Sequence, residues 1–252
     1  MQEARMPESA LPKSLLVTKG AAKARTVPNK YFTLPPERPA PKPTRIILIR
    51  HAQSGHNAEG VCQGSSDETG LSEQGRAEAE RTREALADEQ IDVVCSSPLR
   101  RALETARLLF PGREVIPLPL ATERGFGSWQ GRRWEDLERE HPETFAQYKQ
   151  TRELLVPGAE RLREYQERCM KLAEGLVLSN PGRTIALVTH GGIIRGVTAF
   201  VAGKRKVLTA ERARNCSITV LEYDRLLKSY EVVKYSDAGH LPKPALDQAQ
   251  GF

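Results

Sequence analysis

The stretch "IILIRHAQSGHN", residues 46–57, decides the fold. Four consecutive apolar residues, Ile46 to Ile49, follow a proline-rich run and precede small and polar residues. A run of that length, bounded in that way, predicts a strand buried on both faces, as in a parallel sheet. Such a strand delivers Arg50 and His51 together at its C-terminal end, where open α/β sheets place their ligands. Ser54, Gly55 and Asn57 follow closely enough to donate hydrogen bonds to an anion there. A guanidinium beside an imidazole at a strand end can hold a phosphate against a nucleophile.

The same design returns near the other end of the chain. In "TIALVTHGGIIRGVTAFV" the apolar run Thr184–Val188 predicts a second buried strand, with His190 at its end. Gly191 and Gly192 then allow close backbone approach before a helix begins.

Between these strands the pattern alternates. Ser72 is a suitable N-cap for a helix through "RAEAERTREALADE", with Glu73 in its first turn. The preceding loop, "VCQGSSDETG", is long and rich in turn formers, so it is expected to line the site mouth with Gln63 and Gly64. "IDVVCSS" predicts another buried strand. In "SSPLRRALETARLLF" the expected helix has Ser97 as N-cap and Pro98 at its first position, and runs to Leu109. Arg100 and Arg101 then lie in its first turn, and only one can face the site, since neighbours on a helix diverge by about 100°. "EVIPLPL" predicts a short strand leading to Glu123. Helices are expected over residues 143–151 and 160–179, the second with Leu162, Tyr165, Cys169, Leu172 and Leu176 as a core stripe. "SITVLEY" and "SYEVVKY", with a turn around Asp224, predict an antiparallel hairpin or edge.

Composition narrows the classes. Of the formal charge of +6, residues 1–43 carry +5 and hold eight of the seventeen prolines. They read as a Pro-rich, basic, flexible arm, ahead of a domain at 44–241 and a tail at 242–252. The remainder is nearly neutral, so no nucleic-acid face is expected. No apolar run approaches the ~18 residues of a membrane span. The arm lacks the apolar centre of a secretory signal, while its low acid content leaves organellar targeting open. Cys62, Cys95, Cys169 and Cys216 show no metal-binding spacing and read as reduced thiols of a cytoplasmic protein.

Alternating strands and helices predict a three-layer α/β/α sandwich, its sheet mainly parallel with an antiparallel edge. Arg50, His51, Arg101, Glu123 and His190 converge on one edge of it. Two imidazoles, two guanidiniums and a carboxylate fit phosphoryl transfer through a covalent intermediate. Metal binding is the competing use of His and Glu, but it calls for pairs such as H-x-x-x-H, and none is present. No metal or cofactor is expected. His56, His141 and His240 are expected to be exposed or structural.

From about Thr44 to Leu241 the chain resembles the histidine phosphatase superfamily, the phosphoglycerate mutase-like fold. "LIRHAQSGHN" is similar to the family's R-H-G-[ET]-[ST]-x-x-N signature. "QGSSDETGLSEQG" is similar to its G-x-x-D…L-[ST]-x-x-G loop, and "SSPLRRALETA" to its S-S-P-L-x-R-A-x-x-T-A helix. "ERGFGSWQG" and "VTHGGIIR" fit its acid loop and second histidine. The resemblance implies that His51 is the phosphorylated nucleophile and Glu123 the proton donor. Arg50, Arg101 and His190 would complete the phosphate pocket, assisted by Asn57, with Ser54, Gln63, Gly64 and Gly191 also near substrate. Three departures stand out: Ala52 replaces the usual Gly, Gln53 a common Glu, and the Asp67–Leu71 spacing is one residue longer. The implied activity is hydrolysis of small phosphorylated metabolites, because the segment after the acid is short and resembles the phosphatase branch. A mutase-type phosphotransferase and a non-catalytic phospho-ligand-binding protein are the alternatives. Arg124, Arg132, Arg133 and Arg195 are equally suited to reading a second anionic group or to solvated positions.

Overall fold

The computed structural model describes residues 41–203 and 213–242. The arm and tail read from the sequence lie, except for residues 41–43 and 242, outside the described residues. Strand β1 (Thr44–Arg50) sits inside a six-stranded sheet and forms where the apolar run predicts it. A short helix α1 (Gly55–Ala58) and the longer α2 (Glu73–Ala85) follow, then β2 (Val93–Ser96) and α3 (Arg100–Leu109). After the two-residue β3 (Ile116–Pro117) come α4 (Trp134–Glu140), α5 (Pro142–Thr151) and α6 (Leu162–Ser179). β4 (Thr184–Thr189), α7 (Gly191–Val201), β5 (Ile218–Asp224) and β6 (Ser229–Asp237) complete the order. The sheet runs β3-β2-β4-β1-β5-β6, parallel through β1 and antiparallel at β5 and β6.

Alternation along β1 builds the three layers. Ile46 and Leu48 pack with Tyr165, Cys169 and Leu172 of α6 and with Ile193 and Val197 of α7. Ile47 and Ile49 pack instead with Ala79 of α2 and with Ala102, Ala106 and Leu109 of α3. Each such buried aliphatic contributes roughly 1.5–3 kcal/mol, so a one-residue slip of β1 would exchange two cores at once. A third cluster, between β3 and α6, joins Trp129, Trp134, Leu137, Phe145, Tyr148 and Leu154. Trp134 and Tyr148 stack within it, 11° from parallel with ring centroids 6.4 Å apart.

The structure moves several expected boundaries, and α2 ends at Ala85, short of Glu89. α3 begins at Arg100, and Pro98 lies outside it. The Arg100 N–H donates to the Asp67 carboxylate, which caps the helix from a distant loop in place of Ser97. β3 shrinks to two residues because Pro117 and Pro119 have no N–H for a ladder. α6 begins at Leu162, two residues after Glu160, whose carboxylate pairs with Arg168 at 2.7 Å. Its stripe Tyr165, Cys169, Leu172 and Leu176 is core as expected.

Candidate active site

Sheet register places the two histidines. Arg50 stands opposite Thr189 across the β1–β4 pair, so the next residue of each strand, His51 and His190, lie side by side. Their ring centroids are 5.1 Å apart, and the His51 N–H continues the ladder to the Thr189 carbonyl at 2.8 Å. His51 Nδ1 lies 2.8 Å from the Ala52 carbonyl oxygen, which can only accept, so Nδ1 carries the proton. In the neutral ring the lone pair therefore belongs to Nε2, and His51 lines the cleft.

His190 is wholly buried, its Nε2 2.8 Å from the Ser97 hydroxyl. Ser97 Oγ already accepts the Leu99 N–H at 3.3 Å, leaving its own proton for His190. Donation of that proton to Nε2 leaves the His190 proton on Nδ1, a buried atom with no hydrogen-bond partner among the described residues. Burial, followed by the charges of Arg101, His51 and Arg50, pushes the His190 pKa well below its ordinary value. The imidazole is neutral, with one donor in reserve.

Backbone carbonyls hold both arginines. Arg101 donates from Nη1 to the Ser66 carbonyl and from Nη2 to that of Gly64, both at 2.7 Å. Its Nε is buried without a hydrogen-bond partner among the described residues. Burial lowers its pKa to about 10, so the guanidinium is still charged at neutral pH. Gly64 takes φ +52°, and a Cβ there would overlap the Gln130 side chain, so glycine is required where the loop meets Arg101. Arg50 donates from Nη1 to the Ala213 carbonyl at 2.7 Å. Arg100 turns outward to Glu104 at 2.7 Å, which leaves one arginine of the pair in the site and one outside it.

Glu123 is fixed by two backbone amides. Oε1 accepts the Arg124 N–H at 2.8 Å and Oε2 accepts the Gly192 N–H at 2.9 Å. Each oxygen keeps a second lone pair for a transferred proton. The Thr189 hydroxyl donates to the Ala121 carbonyl at 2.7 Å, which ties this loop to the end of β4. The buried Tyr165 hydroxyl donates to the Gly192 carbonyl, so Gly192 is bonded through both its N–H and its C=O.

Arg50, His51, Asn57, Gln63, Gly64, Arg101, Glu123 and Gly191 line one cleft of about 90 Å³. His190 lies against it through His51. Ser54 is not among the lining residues. Its hydroxyl caps α1 by accepting the Asn57 N–H at 3.2 Å and lies 2.9 Å from Gln63 Oε1, so it positions residues that do line the cleft. Two departures from the family pattern have local explanations. The Ala52 methyl packs in the core with α2 and α3, and Gln53 accepts the hydroxyl of Ser72, the cap of α2, at 2.7 Å. Sequence reasoning missed Ser97 as a partner of His190. It also missed Asn215, whose Nδ2 donates to the His51 carbonyl at 2.8 Å. The upper wall, Phe126, Trp134 and Tyr148, went unassigned, as did the double duty of Leu162 and Tyr165 as core and cleft lining. His56, His141 and His240 do not line the cleft, and His240 contacts the Thr82 hydroxyl at 3.0 Å. Among the described residues no group of three His, Cys, Asp or Glu side chains is arranged to hold a metal ion. No helix there is long and apolar enough to cross a membrane.

Residues 46–237 match the family described as the histidine phosphatase superfamily (branch 1). The chain belongs to that superfamily. It is 31% identical over 204 residues to a metal-independent phosphoserine phosphatase of Arabidopsis thaliana, spanning 79% of this chain and 83% of the relative. Among solved structures, YhfR of Bacillus stearothermophilus superposes with a TM-score of 0.72 at 26% identity, over 78% of this chain and 98% of that one. A mycobacterial glucosyl-3-phosphoglycerate phosphatase in complex with VO3 gives 0.69 at 28% identity, over 76% and 98%. This histidine phosphatase is thus an enzyme of the phosphatase branch with the phosphoglycerate mutase-like α/β fold.

Proposed function

We propose that this phosphatase hydrolyses small phosphomonoesters through a phosphohistidine formed on His51. The observation that carries the reading is the 2.8 Å bond from His51 Nδ1 to the Ala52 carbonyl, which assigns the ring's lone pair to Nε2. Nε2 attacks phosphorus and the P–O bond to the ester oxygen breaks. Glu123 gives its proton to the departing alkoxide. Arg50, Arg101 and the Nδ1–H of His190 stabilise charge on the equatorial oxygens, each already oriented by groups of the fold. Water then attacks the phosphohistidine, Glu123 takes back a proton, and inorganic phosphate leaves with the imidazole regenerated. A metal has no part in this scheme, in keeping with the metal-independent phosphoserine phosphatase to which the chain is similar.

Rapid quench with 32P-labelled ester tests the intermediate. Acid-labile, base-stable label should appear within one turnover and be absent from His51→Ala, which should lose several orders of magnitude in rate. Near-normal turnover by that variant would overturn the covalent route. Isomerisation of 3-phosphoglycerate that needs a bisphosphate primer and outpaces phosphate release from every ester tried would overturn hydrolysis.

A further inference from the structure

Four arginines were open candidates for a second anion, and their bonding separates them. Arg132 pairs with Glu140 and Arg133 is exposed, neither lining the cleft. Arg124 lines it, but its guanidinium is committed to the carbonyls of Glu160 and Arg152. Arg195 differs from all three. It lines the cleft, its Nε is buried without a hydrogen-bond partner, and no carboxylate lies within ion-pair distance among the described residues.

Helix geometry aims Arg195 at the reacting end. It lies four residues after Gly191 on α7, so the two share a face, with Arg195 roughly 6 Å further along the axis. Side chains on a helix lean toward its N-terminus, which here is the phosphate end. Arg152, which lines the same cleft, repeats the pattern. It sits at the end of α5 with φ 60°, its guanidinium 5.6 Å from the Tyr148 ring centroid and its Nε buried without a hydrogen-bond partner among the described residues. Burying guanidinium nitrogens without acceptors is costly, and a planar carboxylate supplies the acceptors in the geometry they prefer.

We infer that Arg195 and Arg152 form a carboxylate subsite, so that the substrates are phosphomonoesters bearing a carboxylate a few bonds from the ester oxygen. This rests on the phosphatase reading above. The cleft of about 90 Å³ suits a small ligand, and Phe126 and Trp134 add apolar surface to its lining.

Phosphoserine and phosphoethanolamine differ by that carboxylate alone, and the ratio of their kcat/KM values reads the subsite. The ratio cancels any defect at the shared phosphate end. For the full-length protein it should be roughly 10- to 100-fold in favour of phosphoserine, the range of one or two charge-assisted hydrogen bonds. In Arg195→Gln and Arg152→Gln it should fall toward one, and Arg195→Lys should restore part of it. A wild-type ratio near one, or a ratio unchanged in both Gln variants, would overturn the subsite. So would a bisphosphate ester that outcompetes every carboxylated one. Phosphate release from p-nitrophenyl phosphate by the wild type keeps this test separate from the underlying reading, whose failure would abolish that release as well.

Discussion

Replacing Gly192 by alanine tests the acid without touching its carboxyl group. A Cβ built on Gly192 would overlap Glu123 Oε1 and stand 2.9 Å from Cδ. Carbon atoms in favourable contact lie about 3.5–4.0 Å apart, so the carboxyl group must retreat by roughly 0.6–1.1 Å. That movement also strains or breaks the 2.9 Å bond from the Gly192 amide. A displacement of about 1 Å from productive geometry costs on the order of 10²-fold in rate. The fold should survive, since alanine is worth up to about 1 kcal/mol over glycine in a helix, which offsets the weakened bond. Steady-state assays with an alkyl phosphomonoester and with p-nitrophenyl phosphate then separate the two explanations of a slow variant. A displaced acid slows the alkyl ester about 100-fold and the aryl ester far less, because p-nitrophenolate leaves without a proton. Equal losses on both esters would refute the assignment and mean that the methyl merely narrows the cleft. An unchanged alkyl rate would remove Glu123 from the chemistry altogether.

Two further expectations concern the buried histidine. His190→Gln should flatten the acid limb of the stability curve. The native pKa is depressed, so below the unfolded value of about 6.5 only the unfolded chain takes up the proton, and stability falls by about 1.4 kcal/mol per pH unit. Urea titrations at pH 7.5 and 5.5 should therefore differ more in the wild type than in the variant, and equal differences would contradict a neutral His190. Ser97→Ala should lower kcat about 10- to 100-fold, since the imidazole loses the 2.8 Å partner that fixes its tautomer. Long-range proton–nitrogen NMR should find the His190 proton on Nδ1 in the wild type, and its presence on Nε2 would overturn that role.

What the sequence disclosed follows from how local each cause is. The apolar runs at residues 46–49 and 184–188 exposed the parallel strands because burial on both faces leaves no polar position to confuse the period. The two histidines were legible for the same reason, since a strand end is a local fact and the register merely brings two of them together. Arg101 could be narrowed from residue types only to one of two neighbours, and the structure chose it by turning Arg100 toward Glu104. The start of α3 was misjudged because its cap comes from Asp67, 33 residues earlier, while the nearby serine is occupied by His190. Asn215 carries no signal at all along the chain. It lies in the turn before β5, and only tertiary pairing shows that it holds the His51 carbonyl.

One physical preference runs through the whole site. Three of its arginines are oriented by carbonyl oxygens: Ala213 for Arg50, Ser66 and Gly64 for Arg101, Glu160 and Arg152 for Arg124. A carbonyl fixes a guanidinium without neutralising it, whereas a carboxylate would cancel the charge the phosphate has to meet. Burial lowers the pKa of Arg101, and burial followed by the charges of Arg101, His51 and Arg50 lowers that of His190. Glu123 is the one acid that lines the cleft among the described residues, and backbone amides of Arg124 and Gly192 hold it. Donors and acceptors of the main chain thus position these side chains. That division of labour also explains why the loops at residues 63–66, 121–125 and 213–217, and not the strands alone, determine whether the site can work.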